Sequence, residues 1–389
     1  MLWQRLDELY EVGVGASAAT QGARRPAYTP AEDEAHRLVA GWMRDAGLGV
    51  SVDPAGNLFG RLAGADPAAG EVWSGSHLDS VPGGGRFDGP LGVLGALEAV
   101  ARIGPQRCGL TVVAFRDEEG WRFGRGCFGS RAMAGRLECG ELETTDADGV
   151  TLRDAIGREL PSPGWLEAPR AYLELHIEQG AVLDGLDLPL GVVTSIAGLA
   201  RLGVSFAGRA GHAGTTPMDG RSDALCAAAA FVLDVRRAAV EIGQGVVATV
   251  GALEVHPGAA NVIPERVDLV VDARAPSKDG HAALLARIRS AAGLPAPQTL
   301  RLAAPVPMSK LVRDACGSEI ESRGLPVHEL PSGAGHDAGV MGVAGVPAGM
   351  LFVRSRNGGL SHHPEEWSEP HDVELAVDVL AGALRRLAG

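Results

Sequence analysis

The chain has 389 residues, 46% hydrophobic and 21% charged, more than one hydrophobic core accommodates and suited to two domains. Its 48 acids against 35 bases leave a formal net charge of −13 with no basic run, which argues against nucleic acid as a partner. No stretch is long and apolar enough to span a bilayer, and the start "MLWQRLDELYEVG" lacks a secretory pattern, so a cytoplasmic protein with no membrane role is expected.

In chain order, the first predicted element is a helix in "TPAEDEAHRLVAGWMRDAG". Thr29 is placed as N-cap, Pro30 at the first helical position and Glu32 three residues after the threonine, and Leu38, Val39, Trp42 and Met43 recur at helical spacing until Gly47. Short β-like runs follow around the turn "DPAGN". "EVWSGSH", "LTVVAF" and "AYLELHI" read as buried strands, and the helical pattern "PLGVLGALEAVARIG" separates the first two, the alternation of an α/β sheet.

The middle of the chain changes character. "RLGVSFAG" and "RVDLVVDAR" alternate apolar and polar with period two, as half-exposed antiparallel strands do, and they flank helical stretches at 221–243 and 277–293. The C-terminal part returns to a helix near 310–323, a strand "AGMLFV" and a closing helix at 372–388. The expected organisation is an α/β domain of residues 1–197 and 309–389, interrupted by an α+β insertion of residues 198–308. Glycine, at 55 residues, is about twice its usual ~7% and implies many tight turns.

Candidate metal donors gather at the strand ends. His77 ends "EVWSGSH"; Asp88 follows eleven residues later, after "SVPGGGRFDG"; Asp117, Glu118 and Glu119 follow "TVVAF". His176 lies at the end of "YLELH", and His362 and His363 come after "FVRSRNGGLS". In open α/β sheets ligands bind beyond the carboxyl ends of the strands. Imidazole and carboxylate without thiolate suit zinc, manganese, cobalt or nickel, and the five cysteines, irregularly spaced with no CxxC, offer neither a thiolate site nor a disulfide framework. The donors exceed what one tetrahedral ion needs; two ions sharing one carboxylate, here Asp88, would use the surplus and make adjacent acids tolerable. Asp117 alone reads as part of a solvated turn. No P-loop or G-x-S-x-G pattern occurs, and the glycine-rich "GGGRFDG" lacks the G-x-G-x-x-G spacing.

"GSHLDSVPGGGRFDGPLG", "RDEEGWRFG", "LELHIEQG", "GRAGHAGTTPMDGRSDA", "ANVIPERVDLVVDAR", "SGAGHDA" and "GGLSHHPEEW" resemble, in order, signatures of the M20-type dinuclear amidohydrolases, in the branch of N-carbamoyl-L-amino acid hydrolases, β-ureidopropionases and allantoate amidohydrolases. The resemblance implies a mixed sheet flanked by helices carrying a dinuclear metal site, with an inserted lid and dimerisation domain. It implies two divalent ions per subunit on His77, Asp88, Glu119, His176 and His362, with Glu118 as general base. His363 replaces the usual Asn or Ser of the family's last motif, so the choice between the two histidines is set by motif position alone. The resemblance also implies that His212 stabilises the oxyanion, reaching in from the partner subunit of a homodimer. Asn261 and Arg274 would hold the substrate carboxylate, and Gln179, His336 and Gly359 would be further substrate-side groups. The activity implied is hydrolysis of the ureido bond of N-carbamoyl-L-amino acids. Allantoate, another N-acyl or ureido amino acid, and a catalytically silent ligand-binding module are the alternatives.

Overall fold

The structure is a computed structural model that describes residues 1–14, 21–293 and 296–389. The chain divides into two compact units, one of Met1–Thr194, Met308–Leu330 and Ala334–Gly389, the other of Ser195–Pro307 and Pro331–Gly333.

The first unit runs α1 (Leu2–Glu11), α2 (Pro30–Asp45), β1 (Gly49–Val52), β2 (Leu58–Leu62), β3 (Glu71–His77), α3 (Pro90–Ile103), β4 (Gly109–Phe115), α4 (Phe128–Met133), α5 (Leu152–Ile156), β5 (Ala171–Ile177), α6 (Val182–Gly185) and most of β6 (Leu190–Ile196). The second unit holds β7 (Gly198–Ala207), α7 (Ala224–Ile242), β8 (Val247–His256), β9 (Arg266–Ala275), α8 (Lys278–Ala292) and β10 (Gln298–Ala303). The chain closes with β11 (Val306–Pro307), α9 (Lys310–Ser322), β12 (Glu329–Ser332), α10 (Asp337–Val343), β13 (Ala348–Val353) and α11 (Pro370–Ala388).

The large mixed sheet has the order β1-β2-β4-β3-β5-β13-β6-β11, with β12 on β6. Its centre, β4-β3-β5-β13, is parallel. Every residue of β4, β5 and β13 is buried, as strands covered by helices on both faces must be, and this is why they read as continuous apolar runs. Each fully buried Leu or Phe stabilises the fold by about 1.5–3 kcal/mol. The helix α3 is buried from Pro90 through Leu97, the mark of a helix enclosed on all sides. Register sets the site: His77 lies opposite Phe115, and His176 opposite Phe352, so the segments leaving these strands start side by side.

At α2, Thr29 is the N-cap residue but makes no side-chain cap bond. Its hydroxyl donates to Pro26 O (2.7 Å), and Glu32 accepts from Tyr28 N (2.6 Å) and pairs with the Arg116 guanidinium. The expected reciprocal capping box does not form, because a buried cation claims the glutamate.

In the second unit an antiparallel sheet, β10-β7-β9-β8, packs one face on α7 and α8. Asp223 caps α7 by accepting from Leu225 N (2.9 Å) and Cys226 N (3.3 Å). Phe231 and Val235 of α7, Leu284 and Ile288 of α8, and Leu202, Leu269 and Val271 of the sheet share this core. Among the described residues no helix is long and apolar enough to cross a membrane.

Candidate metal centre

Four parallel strands deliver the donors. His77 ends β3 with its ring buried, and Nδ1 lies 3.1 Å from Asp79 O. A carbonyl oxygen only accepts, so Nδ1 carries the proton and Nε2 faces Asp88 Oδ1 at 3.5 Å. His176, near the end of β5, repeats the device: Nδ1 donates to Ile177 O (2.9 Å), and Nε2 lies 3.2 Å from Asp88 Oδ1. That buried Nε2 has no well-formed hydrogen bond.

The other oxygen of Asp88 faces a second set. His362 Nε2 is 3.2 Å from Asp88 Oδ2 and 3.2 Å from Glu119 Oε2. His77, Asp88 and His176 form one group able to hold a cation, and Asp88, Glu119 and His362 another. The residues therefore fit the two ions expected of them: imidazoles oriented through Nδ1 and aimed through Nε2, an orphaned buried nitrogen, and one carboxylate with an oxygen for each set. A third group, Glu174, His176 and His336, is a weaker candidate. Glu174 already accepts from Ser76 Oγ (2.7 Å) and Ala338 N (3.0 Å).

Electrostatics points the same way. Burial opposes charge on His77, yet Asp79 and Asp88 hold it well above the ordinary imidazole range. Hydrogen bonds to Asp88 and Glu119 push His362 up to about 11. Surrounding acids thus call for positive charge at each Nε2, and a divalent ion answers that demand as a proton does.

Glu118 stands beside this set. Its Oε2 is 3.8 Å from His77 Nε2, and Cys127 Sγ is 3.5 Å from its Oε1. Burial pushes its carboxyl well above the usual range; His77 opposes the shift and Glu119 adds to it. The carboxylate of Asp79 straddles the backbone here, accepting from Glu118 N and Glu119 N, both at 3.1 Å. Asp117 is fully buried at φ 53°, and burial, Asp79 and Glu32 push it well above its ordinary value. The solvated-turn reading of Asp117 is therefore wrong: the turn folds inward because Cys127 N, Phe128 N and Gly129 N donate to Glu118 O, Asp117 O and Arg116 O.

The remaining candidates fall in two places. Gln179, at φ 55°, donates through Nε2 to Asp88 Oδ2 (2.8 Å). His336 is buried with its ring 4.5 Å from that of His176, and burial and the charge of His176 keep it well below the ordinary range. Gly359, at φ 79°, brings its backbone so close to Gly180 that a Cβ would lie 2.1 Å from the carbonyl carbon. His363 turns away and accepts from Glu365 N at 3.2 Å, so of the two neighbouring histidines only His362 joins the cluster.

His212, Asn261 and Arg274 belong to the second unit. His212 is exposed, and its Nδ1 accepts from Gly214 N (3.1 Å) and Thr215 N (3.2 Å), which leaves the proton of the neutral ring on Nε2. Asn261 is exposed, its carbonyl accepting from Ala213 N at 3.0 Å. Arg274 is held by Asp272 Oδ1 (2.9 Å) and Gly333 O (2.8 Å).

Sequence reasoning missed Asp79 and Glu366, which hold the backbone of the donors. Asp79 had a local signal, two residues past His77 in "GSHLDS"; Glu366 lay inside the last motif, "GGLSHHPEEW", with nothing to set it apart.

A mixed α/β sheet presenting two histidine and carboxylate sets beyond its parallel strands is the architecture of a metal-dependent hydrolase. The profile of Peptidase family M20/M25/M40 matches residues 73–386, and the chain belongs to this family. It is 44% identical to the N-carbamoyl-L-amino acid amidohydrolase of Geobacillus stearothermophilus, over 100% of this chain and 98% of that one. It is 35% identical to the allantoate amidohydrolase of Bacillus subtilis, over 96% and 94%. Among solved structures, a hydantoinase/carbamoylase family amidase from Burkholderia multivorans superposes with a TM-score of 0.89 at 35% identity, covering 100% and 97%.

Proposed function

We propose that this chain hydrolyses the carbamoyl C–N bond of N-carbamoyl-L-amino acids, giving the free amino acid, ammonia and carbon dioxide. The observation that carries the reading is Asp88: its two oxygens face separate donor sets, His77 with His176 and His362 with Glu119, while Glu118 stands alongside. Two divalent ions held by these five residues, zinc or else manganese, cobalt or nickel, would supply Lewis acidity, polarising the ureido carbonyl and acidifying water.

The protein's own groups do the rest. Glu118, buried and outside both donor sets, takes a proton from the attacking water and returns it to the leaving nitrogen. Asp79 fixes the backbone of Glu118 and Glu119, so base and ligand keep their spacing. His212, with Nε2–H outward, is the donor for the developing oxyanion. Arg274, braced by Asp272 and Gly333, and Asn261 take the substrate carboxylate. Gln179, His336 and Gly359 complete the substrate side.

The homodimer belongs to this proposal. Leu233 and Val240 of α7 are 66% and 69% exposed, and β8 is a sheet edge carrying exposed Val247 and Leu253, features that suit a self-complementary contact. Allantoate is the second substrate reading, favoured by the identity to the Bacillus enzyme.

The deciding experiment measures ammonia release from N-carbamoyl-L-amino acids, allantoate and N-acetyl amino acids, using chelated protein reloaded with each metal. Turnover of N-carbamoyl substrates above allantoate is expected. Release from allantoate alone, or none from any ureido compound, sinks the primary reading.

A further inference from the structure

The last motif, "SHHPEEW", carries just before its final Trp367 an acid that the donor sets leave unused. Glu366 is buried at 3% exposure. Its Oε1 accepts from two successive amides, Phe87 N at 2.7 Å and Asp88 N at 3.1 Å. Its Oε2 lies 2.9 Å from Ser361 Oγ, which is itself 3.0 Å from Asp88 Oδ2. The ring of Trp367 meets that of Phe87 edge-on at 5.7 Å. One carboxylate thus binds the turn that presents Asp88 to the loop that presents His362, across 278 residues of sequence.

The glycine run explains how it fits. Gly85 has ordinary φ, yet a Cβ there would lie 2.3 Å from Glu366 Cδ and 2.3 Å from its Oε1. The third glycine of "GGG" is therefore the space the carboxylate occupies, not only a residue that eases the turn.

We propose that Glu366 is a positioning residue for the metal centre: by gripping the amides of Phe87 and Asp88 and the Ser361 hydroxyl, it sets where the Asp88 carboxylate stands relative to His362. This rests on the reading that Asp88 and His362 hold metal. Donors fixed by such outer partners lose affinity when the partner is removed, typically by about 10–100-fold. Because Asp88 faces both sets, both ions should weaken.

The test uses full-length protein and chelator competition with zinc and cobalt, together with the visible spectrum of the cobalt form. Glu366→Ala is expected to lose roughly 10–100-fold in metal affinity and to change the cobalt spectrum. Glu366→Gln, whose Oε1 still accepts both amides, should recover most of that affinity. Wild-type affinity and spectrum in Glu366→Ala would overturn the proposal. If Glu366→Ala does not accumulate folded, Gly85→Ala carries the test, since its methyl displaces the carboxylate with Glu366 present; its metal-free melting curve reports the fold. The same affinity loss supports the role, and wild-type affinity overturns it. Wild-type protein that binds two ions but releases no ammonia would refute the substrate reading and leave this one standing.

Discussion

The two units bury their candidate residues differently. In the first, His77, Asp88 and His176 are almost wholly removed from solvent, and each is oriented by a second protein group or faces one, although His362 keeps 47% of its side chain exposed. In the second, His212 and Asn261 are exposed and Arg274 keeps 35% of its side chain in solvent. Buried, charge-bearing groups are costly unless rigidly partnered, so they sit at the ends of a parallel sheet that cannot shift. The exposed groups of the second unit can be truncated without leaving a buried charge behind. The contrast predicts that changes in the first unit alter metal or proton chemistry, whereas changes in the second alter kinetics while metal content stays constant.

Glu118→Gln should give the largest effect, a fall in kcat of about 10²–10⁴-fold with two ions per chain still found by elemental analysis. A variant that stays active removes Glu118 from the base role. His212→Ala should lower kcat by about 10²–10³-fold at unchanged metal content. Mixed dimers of His212→Ala with Glu118→Gln chains should regain activity if sites are shared between subunits, and no regain would place His212 in its own chain's site. Arg274→Ala removes charged hydrogen bonds worth about 1.5–3 kcal/mol each, so kcat/KM should fall roughly tenfold or more on substrates with an α-carboxylate. An equal loss on a carboxylate-free ureido compound would contradict the clamp.

The smallest effect is on stability. The carboxyl of Asp117 is raised in the fold above its unfolded value, chiefly by burial, so its contribution is full below the unfolded pKa of about 4 and declines as pH rises. Asp117→Asn lacks that decline. Its melting temperature relative to wild type should climb as pH rises above about 4. A difference flat with pH would mean that Asp117 is not strained by ionisation.

What could be read from the sequence follows the range of the forces involved. The strands "EVWSGSH", "AYLELHI" and "AGMLFV" match β3, β5 and β13 residue for residue, because a strand buried on both faces announces itself in its own composition. The seven-residue β6, "LGVVTSI", and the short β11 and β12 went unread. Asp117 was misplaced because its burial depends on a return of the chain ten residues later. Thr29 is the N-cap as read, but its hydroxyl turns to Pro26 O, and Glu32 pairs with Arg116, 84 residues away. Donor types and their position past strand ends were legible. The choice of His362 over His363 rested on motif position alone; in the structure local backbone bonding, such as Glu365 N to His363, accompanies the turning away of His363.

The donors grouped with Asp88 come from positions 77, 119, 176 and 362. An ion held among them is also a suture, joining segments that an unfolded chain would let drift far apart. Since the unfolded chain offers no such assembly, loading should hold the fold by mass action, adding about 2.7 kcal/mol once free metal reaches a hundred times its dissociation constant. Metal supply would then govern how long the protein survives heat and proteases as well as how fast it turns over.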